Sequence, residues 1–166
     1  MTTPFEFCAQ EECVMDANGR LKLSASILRD FRRHTEGDVV LYCVPEGAIG
    51  VFPPDHWARI RRPDGEPLDR FASDVLYRRT LRRFGALTFQ TEISPQGRIT
   101  IPPGYRDFAG LPAAGKVMLI GCEIGIEVWS GEAWQRELSA IQEHVTEKSR
   151  HAMASDLQPP PPTSTR

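Results

Sequence analysis

The sequence predicts an α+β protein made of two copies of one β-rich module, with flanking helices. Residues 14–24 are echoed 78 positions later by residues 92–102, and residues 46–57 are echoed at an offset of 77 by residues 123–134. Self-similarity at a fixed spacing indicates a duplicated supersecondary unit. Each copy is too short to close a stable core alone, so we expect the two to pack together as a pseudo-dimer within one chain.

The first module, residues 5–62, reads as short strands followed by short helices. Alternation from Arg20 to Leu23 places Leu21 and Leu23 on one face of a strand, and Arg20 and Lys22 on the other. The other elements expected in this module are a helix over 26–33, strands over 39–44 and 49–52 joined by a turn at 45–47, and a helix that carries Trp57 and Ile60 and stops before Pro63.

A linker over 63–86 and a second module over 87–150 follow. Apolar residues recur at helical spacing from Leu68 to Phe84, predicting an amphipathic helix that Gly85 ends and whose other face carries arginines. The second module repeats the order with strands over 87–93, 98–101, 117–122 and 126–129, a helix that starts at Pro102-Pro103, and a longer helix after Ser130 with Trp134, Leu138, Ile141 and Val145 on one stripe. Residues 151–166 are polar and proline-rich, predicting a disordered tail.

Composition argues against several classes of protein. The formal net charge of −2 argues against indiscriminate nucleic-acid binding. The chain shows neither a run of about 20 apolar residues nor a signal-peptide pattern, so we expect a cytoplasmic protein without membrane contact. The cysteines form no CxxC pair and the histidines lie in unmatched contexts, so neither a metal site nor a cofactor is expected. Common catalytic motifs are absent from the sequence, so we do not expect an enzyme.

Positive charge is concentrated near the linker. Eight arginines lie between Arg59 and Arg83, against four acids. These arginines could contact DNA phosphates, but charge runs are usually solvated or lie at interfaces. A neighbouring subunit could supply the matching acids, such as Glu132, Glu137 and Glu143. The three tryptophans sit at spacings typical of core residues.

The repeated turn is the strongest candidate for a binding site. In residues 16–20, Asn18-Gly19 favours a tight hairpin because both residues accept positive φ, and Asp16 can both accept backbone N–H bonds and hold the guanidinium of Arg20. The second copy reaches a similar turn through Ser94, Pro95, Gln96, Gly97 and Arg98. Outward arginines beside glycines fit an anionic surface, because guanidinium binds both phosphate and the guanine edge by paired bonds.

The ordered pattern of these features resembles the MraZ family of bacterial transcriptional regulators, built from two AbrB-type domains. The resemblance rests on the D-x-x-x-R turn, the two modules, the Val-Phe and Val-Trp strands that precede tryptophan-bearing helices, and the residues Arg-Ile-Thr-Ile-Pro-Pro followed by 106–111. It implies a pseudo-dimeric β-barrel, a ring-like homo-oligomer and association with the nucleoid. It also implies binding of double-stranded DNA at short tandem repeats, with repression of the chain's own division and cell-wall promoter.

The resemblance also suggests site residues. The DNA-binding residues are then Arg20, Lys22, Arg98, Asn18, Gly19 and Gly97, with Asp16 orienting Arg20. Ser94 stands where the family has aspartate in the second turn, and a hydroxyl holds a guanidinium less firmly than a carboxylate does. We therefore expect Arg20 to contribute more than Arg98.

Two other classes of function remain open. An oligomeric scaffold acting on a protein partner would use the arginine-rich helix and the proline-rich tail. A small hydrolase would need turnover that survives loss of both hairpin arginines. Steep salt dependence distinguishes DNA binding from the scaffold.

Overall fold

The computed structural model describes residues 5–61, 71 and 74–156, with side chains to residue 153. Within these residues it has eight strands and five helices. The strands are β1 (Gln10–Met15), β2 (Arg20–Lys22), β3 (Asp38–Val44), β4 (Ala48–Phe52), β5 (Thr88–Glu92), β6 (Arg98–Thr100), β7 (Gly115–Gly121) and β8 (Ile126–Ser130). The helices are α1 (Ala25–Arg32), α2 (Pro54–Arg61), α3 (Val75–Ala86), α4 (Pro103–Phe108) and α5 (Gly131–Asp156).

The strands form one antiparallel sheet in the order β5-β3-β4-β8-β7-β1-β2-β6. The first strand of this order, β5, continues along the chain into the last, β6, through a single tight turn, so the sheet is a nearly closed barrel. Closure protects the backbone groups that an open sheet leaves unpaired at its edges. The predicted α+β barrel with flanking helices is therefore confirmed.

The two modules exchange strands rather than packing side by side. Strand β1 of the first module pairs with β7 of the second, and β5 of the second pairs with β3 of the first. The modules also meet at the β2–β6 and β4–β8 pairs. Because each module completes the other's part of the sheet, the duplication produces one shared barrel with approximate two-fold symmetry.

The barrel interior contains equivalent residues from both modules. Leu21, Leu23, Ile99 and Ile101 are all at most 2% exposed and lie in one cluster, as the alternation in the sequence predicts. Burial of each such aliphatic side chain contributes about 1.5–3 kcal/mol to the stability of the fold. The alternation thus sets which faces of β2 and β6 point into the barrel and which point outward.

Two aromatic clusters attach three of the helices to the outside of the barrel. Trp57 of α2 packs on Tyr42 with ring centroids 4.7 Å apart, and Phe84 of α3 joins the same cluster. On α5, Trp134 packs on Trp129 at 5.8 Å. All three tryptophans are buried, which confirms their predicted packing role.

The arginine-rich helix differs from its prediction at both ends. A new helix, α3, starts at Val75 because Asp74 caps it, its carboxylate accepting the N–H of Tyr77 at 2.9 Å. Gly85 does not end the helix, which runs to Ala86. A glycine in the last turn costs only about 1 kcal/mol relative to alanine, so it does not force termination. Most of the predicted segment before Asp74 lies outside the described residues.

The last helix, α5, is longer than the sequence suggests. It is capped by Ser130, whose Oγ accepts the N–H of Ala133 at 3.2 Å, and it continues to Asp156, beyond the predicted start of the tail at residue 151. Residues 157–166 lie outside the described part. Among the described helices, including this one, none is both long and apolar enough to cross a membrane.

Candidate nucleic-acid interface

The two copies of the repeated turn lie next to each other. Strands β2 and β6 pair antiparallel, with Arg20 opposite Thr100, Leu21 opposite Ile99 and Lys22 opposite Arg98. Residues directly opposite on one face approach to about 5 Å between Cβ atoms, and diagonal neighbours to about 7–8 Å. The side chains of Arg20, Lys22, Arg98 and Thr100 therefore share one outward face, which we call the arginine face.

The first turn is held by backbone bonds at both ends. The N–H of Gly19 donates to the carbonyl of Asp16 at 3.0 Å, and the N–H of Asp16 donates to the carbonyl of Arg20 at 2.9 Å. Gly19 has φ of +78°, whereas Asn18 is not among the described non-glycine residues with positive φ. The expectation that both residues adopt positive φ is therefore wrong. The closing hydrogen bond joins Asp16 and Arg20, which are four positions apart. A turn of this length needs the left-handed conformation only at Gly19.

The carboxylate of Asp16 orients the backbone of this turn. Its Oδ1 accepts the N–H groups of Asn18 and Arg20, both at 2.9 Å. These bonds, that from Arg20 foremost, lower the pKa of Asp16, assisted by the nearby charges of Arg20 and Arg98. Among the described contacts, Asp16 forms no ion pair with a guanidinium. Its contacts thus place the start of β2 rather than the end of the Arg20 side chain.

The second turn repeats this geometry with a weaker anchor. The N–H of Gly97 donates to the carbonyl of Ser94 at 2.8 Å, and the N–H of Ser94 donates to the carbonyl of Arg98 at 2.8 Å. Among the described residues, Ser94 Oγ accepts one hydrogen bond, from the N–H of Arg98 at 3.1 Å. A neutral hydroxyl accepts a weaker hydrogen bond than a carboxylate does. The two turns have the same shape but are held with different strength.

Both turn glycines are buried against the other module. The carbonyl of Gly19 accepts the N–H of Ile101, and the carbonyl of Gly97 accepts the N–H of Leu23. A Cβ on Gly19 would lie 2.5 Å from the carbonyl oxygen of Ile101. These glycines therefore bring the two modules together, and the surface left to a partner is formed by their neighbours.

The arginine face is exposed and positively charged. Asn18, Arg20, Lys22, Arg98 and Thr100 are all exposed. In the described part of the chain, no carboxylate lies within ion-pair distance of these three cations. A shallow groove of about 360 Å³ runs beside them, lined by Arg20, Thr91, Glu92, Ser94, Gln96, Arg98 and Thr100. Cations without anionic partners are available to bind an external anion.

Most of the exposed side chains on this face could be identified from the sequence, but their arrangement could not. The spacing of 78 residues relates Arg20 to Arg98, yet it does not show that the two strands pair in register. Thr100 was not among the predicted site residues, although it occupies in β6 the position that Lys22 has in β2. The alternation of Arg98, Ile99 and Thr100 was the available signal, since it puts Thr100 on the outward side.

The arginines of α3 are separate from the pairing that forms the arginine face. Arg79, Arg82 and Arg83 are exposed, and Arg83 lies over the ring of Tyr42 at 5.8 Å. Val75 and Leu76 in the first turn of the helix are 51% and 67% exposed. The exposed surface of α3 is therefore part basic and part apolar, unlike the polar arginine face.

The chain is similar in sequence to a known protein family and to several of its members. The family model for the MraZ protein matches residues 86–156. The protein "Transcriptional regulator MraZ" of Thermus thermophilus is 31% identical over 127 residues, which cover 76% of this chain and 83% of that protein. Proteins of the same name from Desulforapulum autotrophicum and Saccharophagus degradans are each 30% identical, covering 90% and 82% of this chain and 97% and 90% of their own lengths. With this identity over most of both chains, the protein belongs to the MraZ family.

Proposed function

We propose that this chain is a sequence-specific DNA-binding transcriptional regulator that contacts double-stranded DNA through the arginine face. One observation carries the proposal: both arginine turns meet on the β2–β6 pair, with Arg20, Lys22 and Arg98 exposed and unpaired among the described residues. A core requires Leu21 and Ile99 but makes no demand on the cations beside them. The name that the relatives share, transcriptional regulator, supports the regulatory part of this proposal.

The shape of the site suits the major groove. The groove of B-DNA is about 12 Å wide and admits a two-stranded β-ribbon, and arginine binds the O6 and N7 atoms of guanine by paired bonds. The β2–β6 pair is such a ribbon, since β2 makes only one pair with β1, between Met15 and Leu21. Asn18, in the middle of the first turn, adds an amide, which pairs with adenine in the same groove.

The two hairpin arginines are not equivalent. Asp16 fixes the first turn by two bonds at 2.9 Å, whereas Ser94 fixes the second by one at 3.1 Å. Arg98 also faces Lys22, a like charge, while Arg20 faces the neutral Thr100. Like charges opposite one another in a sheet repel, so Arg98 is less firmly placed. Arg20 is therefore the stronger DNA contact.

Binding by a single subunit would be weak, so the proposal includes a ring-like homo-oligomer. Three cations per chain neutralise few phosphates, but several copies on evenly spaced direct repeats gain by multivalency. A cyclic arrangement matches tandem repeats, and occupancy of the chain's own division and cell-wall promoter would repress it. Val75 and Leu76 are apolar, exposed and next to the arginines of α3, which favours a contact of this helix with another subunit over a contact with phosphate. In that contact the exposed Glu143 of a neighbouring subunit would pair with one of these arginines.

The test measures binding to a fluorescent duplex that carries the region immediately upstream of the gene, with an unrelated duplex as competitor. Arg20→Ala should abolish specific binding and Arg98→Ala should weaken it less, since base contacts are worth about 1–3 kcal/mol each and are multiplied across a ring. Arg136→Ala, which removes an exposed arginine of α5, is the matched control. Wild-type binding by both hairpin variants would refute the proposal and leave the scaffold, whose activity would not depend on DNA.

A further inference from the structure

A fourth cation lies against the first arginine turn and comes from the other module. Arg106 of α4 donates from Nη1 to the carbonyl oxygen of Ala17 at 3.4 Å. Its Nε would lie 2.9 Å from a Cβ placed on Gly19, so the guanidinium rests on the backbone of the turn. The side chain is half-buried at the border of the turn that carries Arg20.

The pseudo-two-fold symmetry supplies an internal comparison. Leu28 of α1 lies 78 positions before Arg106 and packs on the second turn in the same way, with Cδ1 2.6 Å from a Cβ placed on Gly97. The second turn keeps its φ of +78° with a leucine beneath it. Support for such a turn therefore does not require a guanidinium, and the charge of Arg106 needs another explanation.

The hydrogen-bonding capacity of Arg106 is mostly unused. Of the five N–H donors of its guanidinium, one bonds within the described part of the chain, and Nε is buried there without a partner. The described ion pairs do not include this residue. Nε is enclosed, so the donors left for an external partner are those on the terminal nitrogens, and such donors are suited to binding a phosphate.

We propose that Arg106 is a further DNA-contacting residue, which binds a backbone phosphate beside the groove entered by the first turn. The inference rests on the proposed function, because it takes DNA as the partner of the arginine face. It assigns two arginines to the first turn, one from each module, and one to the second. The pseudo-symmetric surface thereby gains a stronger and a weaker half.

The decisive variant is Arg106→Leu, which reproduces the packing that Leu28 provides and removes the charge. Binding to the duplex carrying the upstream region is measured by fluorescence anisotropy at several salt concentrations, together with binding to an unrelated duplex. We expect affinity for both duplexes to fall at least about tenfold, as for a lost charged hydrogen bond, and the salt slope to fall by about 0.9 per chain. Because phosphate contacts carry no sequence information, the ratio of the two affinities should not change.

Controls separate this inference from the proposed function. Arg20→Ala should lower the ratio of specific to unrelated binding, which Arg106→Leu should not. Arg106→Lys keeps the charge and should retain the salt slope. If Arg20→Ala weakens binding while Arg106→Leu binds with wild-type affinity and slope, Arg106 does not contact DNA. Lost affinity with an unchanged slope would mean that Arg106 only supports the turn, which also overturns the inference.

A gain-of-function variant tests the same point by adding a cation instead of removing one. Leu28→Arg places at the second turn the residue type that the first turn already accepts. We expect tighter binding to both duplexes and a steeper salt slope, by about the increment that Arg106→Leu removes. An unchanged slope in a folded Leu28→Arg variant would count against a phosphate at this position. If wild type and Arg20→Ala bind the upstream duplex equally, the proposed function fails first, independently of Arg106.

Discussion

Replacing Gly19 by alanine should destabilise the protein far more than the same change at Gly47. Both glycines have positive φ, +78° and +98°, so each alanine incurs backbone strain of about 1–2 kcal/mol. In the part of the chain that the structure describes, nothing lies within 4 Å of a Cβ on Gly47, whereas a Cβ on Gly19 would lie 2.5 Å from the backbone oxygen of Ile101. That oxygen belongs to the backbone of the second module, which is hydrogen-bonded to this turn and cannot move freely. The overlap should therefore lower the free energy of unfolding by about 1–3 kcal/mol more than the strain alone.

The comparison is made by urea unfolding, followed by the fluorescence of the three buried tryptophans. The effect of alanine on the unfolded chain is similar at both sites, so it cancels in the difference. We expect Gly19→Ala to lose about 1–3 kcal/mol more than Gly47→Ala, or roughly 2–12 °C in Tm at fixed protein concentration. Equal losses would show that the close approach of the two modules at this turn does not constrain the fold.

Three further predictions concern other parts of the molecule. The stability that Asp16 contributes relative to Asp16→Asn should be complete above the ordinary carboxyl pKa of 3.8 and be lost as the pH falls through the lowered pKa of Asp16 in the folded protein. Urea unfolding of both proteins from pH 2 to about 6 measures this difference, and a difference that does not depend on pH would contradict the prediction. Asp30→Ala should cost about 1–3 kcal/mol, because it leaves the buried N–H of Phe7 without its acceptor at 2.9 Å, and a loss below about 0.5 kcal/mol would show that the bond is dispensable. Alkylation followed by mass spectrometry should label exposed Cys8 first and Cys122 much later, because burial raises the pKa of Cys122 to about 11; equal rates would contradict that burial.

Much of the fold could be predicted because its signals are local. The alternation of Leu21 and Leu23 with Arg20 and Lys22 depends only on the two-residue period of a strand, and the structure has these residues on the expected faces. Proline at the start of α4 and Ser130 at the start of α5 satisfy helix termini that need no distant partner. Such features are contained within a few neighbouring residues.

The errors arose where one local signal competed with another. Helical spacing predicted continuous helix through Asp74, but its carboxylate caps a new helix instead. In the first turn, Asn18-Gly19 suggested two left-handed residues, whereas the bond from the N–H of Asp16 to the carbonyl of Arg20 closes a longer turn with one. Periodicity does not weigh a side-chain hydrogen bond against the helix, so these boundaries required the structure.

The sequence by itself determined that two equivalent modules exist, which faces of their strands are apolar, and which arginines point outward. It did so because duplication and alternation are properties of the chain order. Only the tertiary structure decided that β2 and β6 pair, so that Arg20, Lys22 and Arg98 share one face, and that Arg106 reaches the turn of the other module. Strand pairing joins residues nearly 80 positions apart, and the physical reason for it lies in the closure of the shared barrel rather than in any local preference.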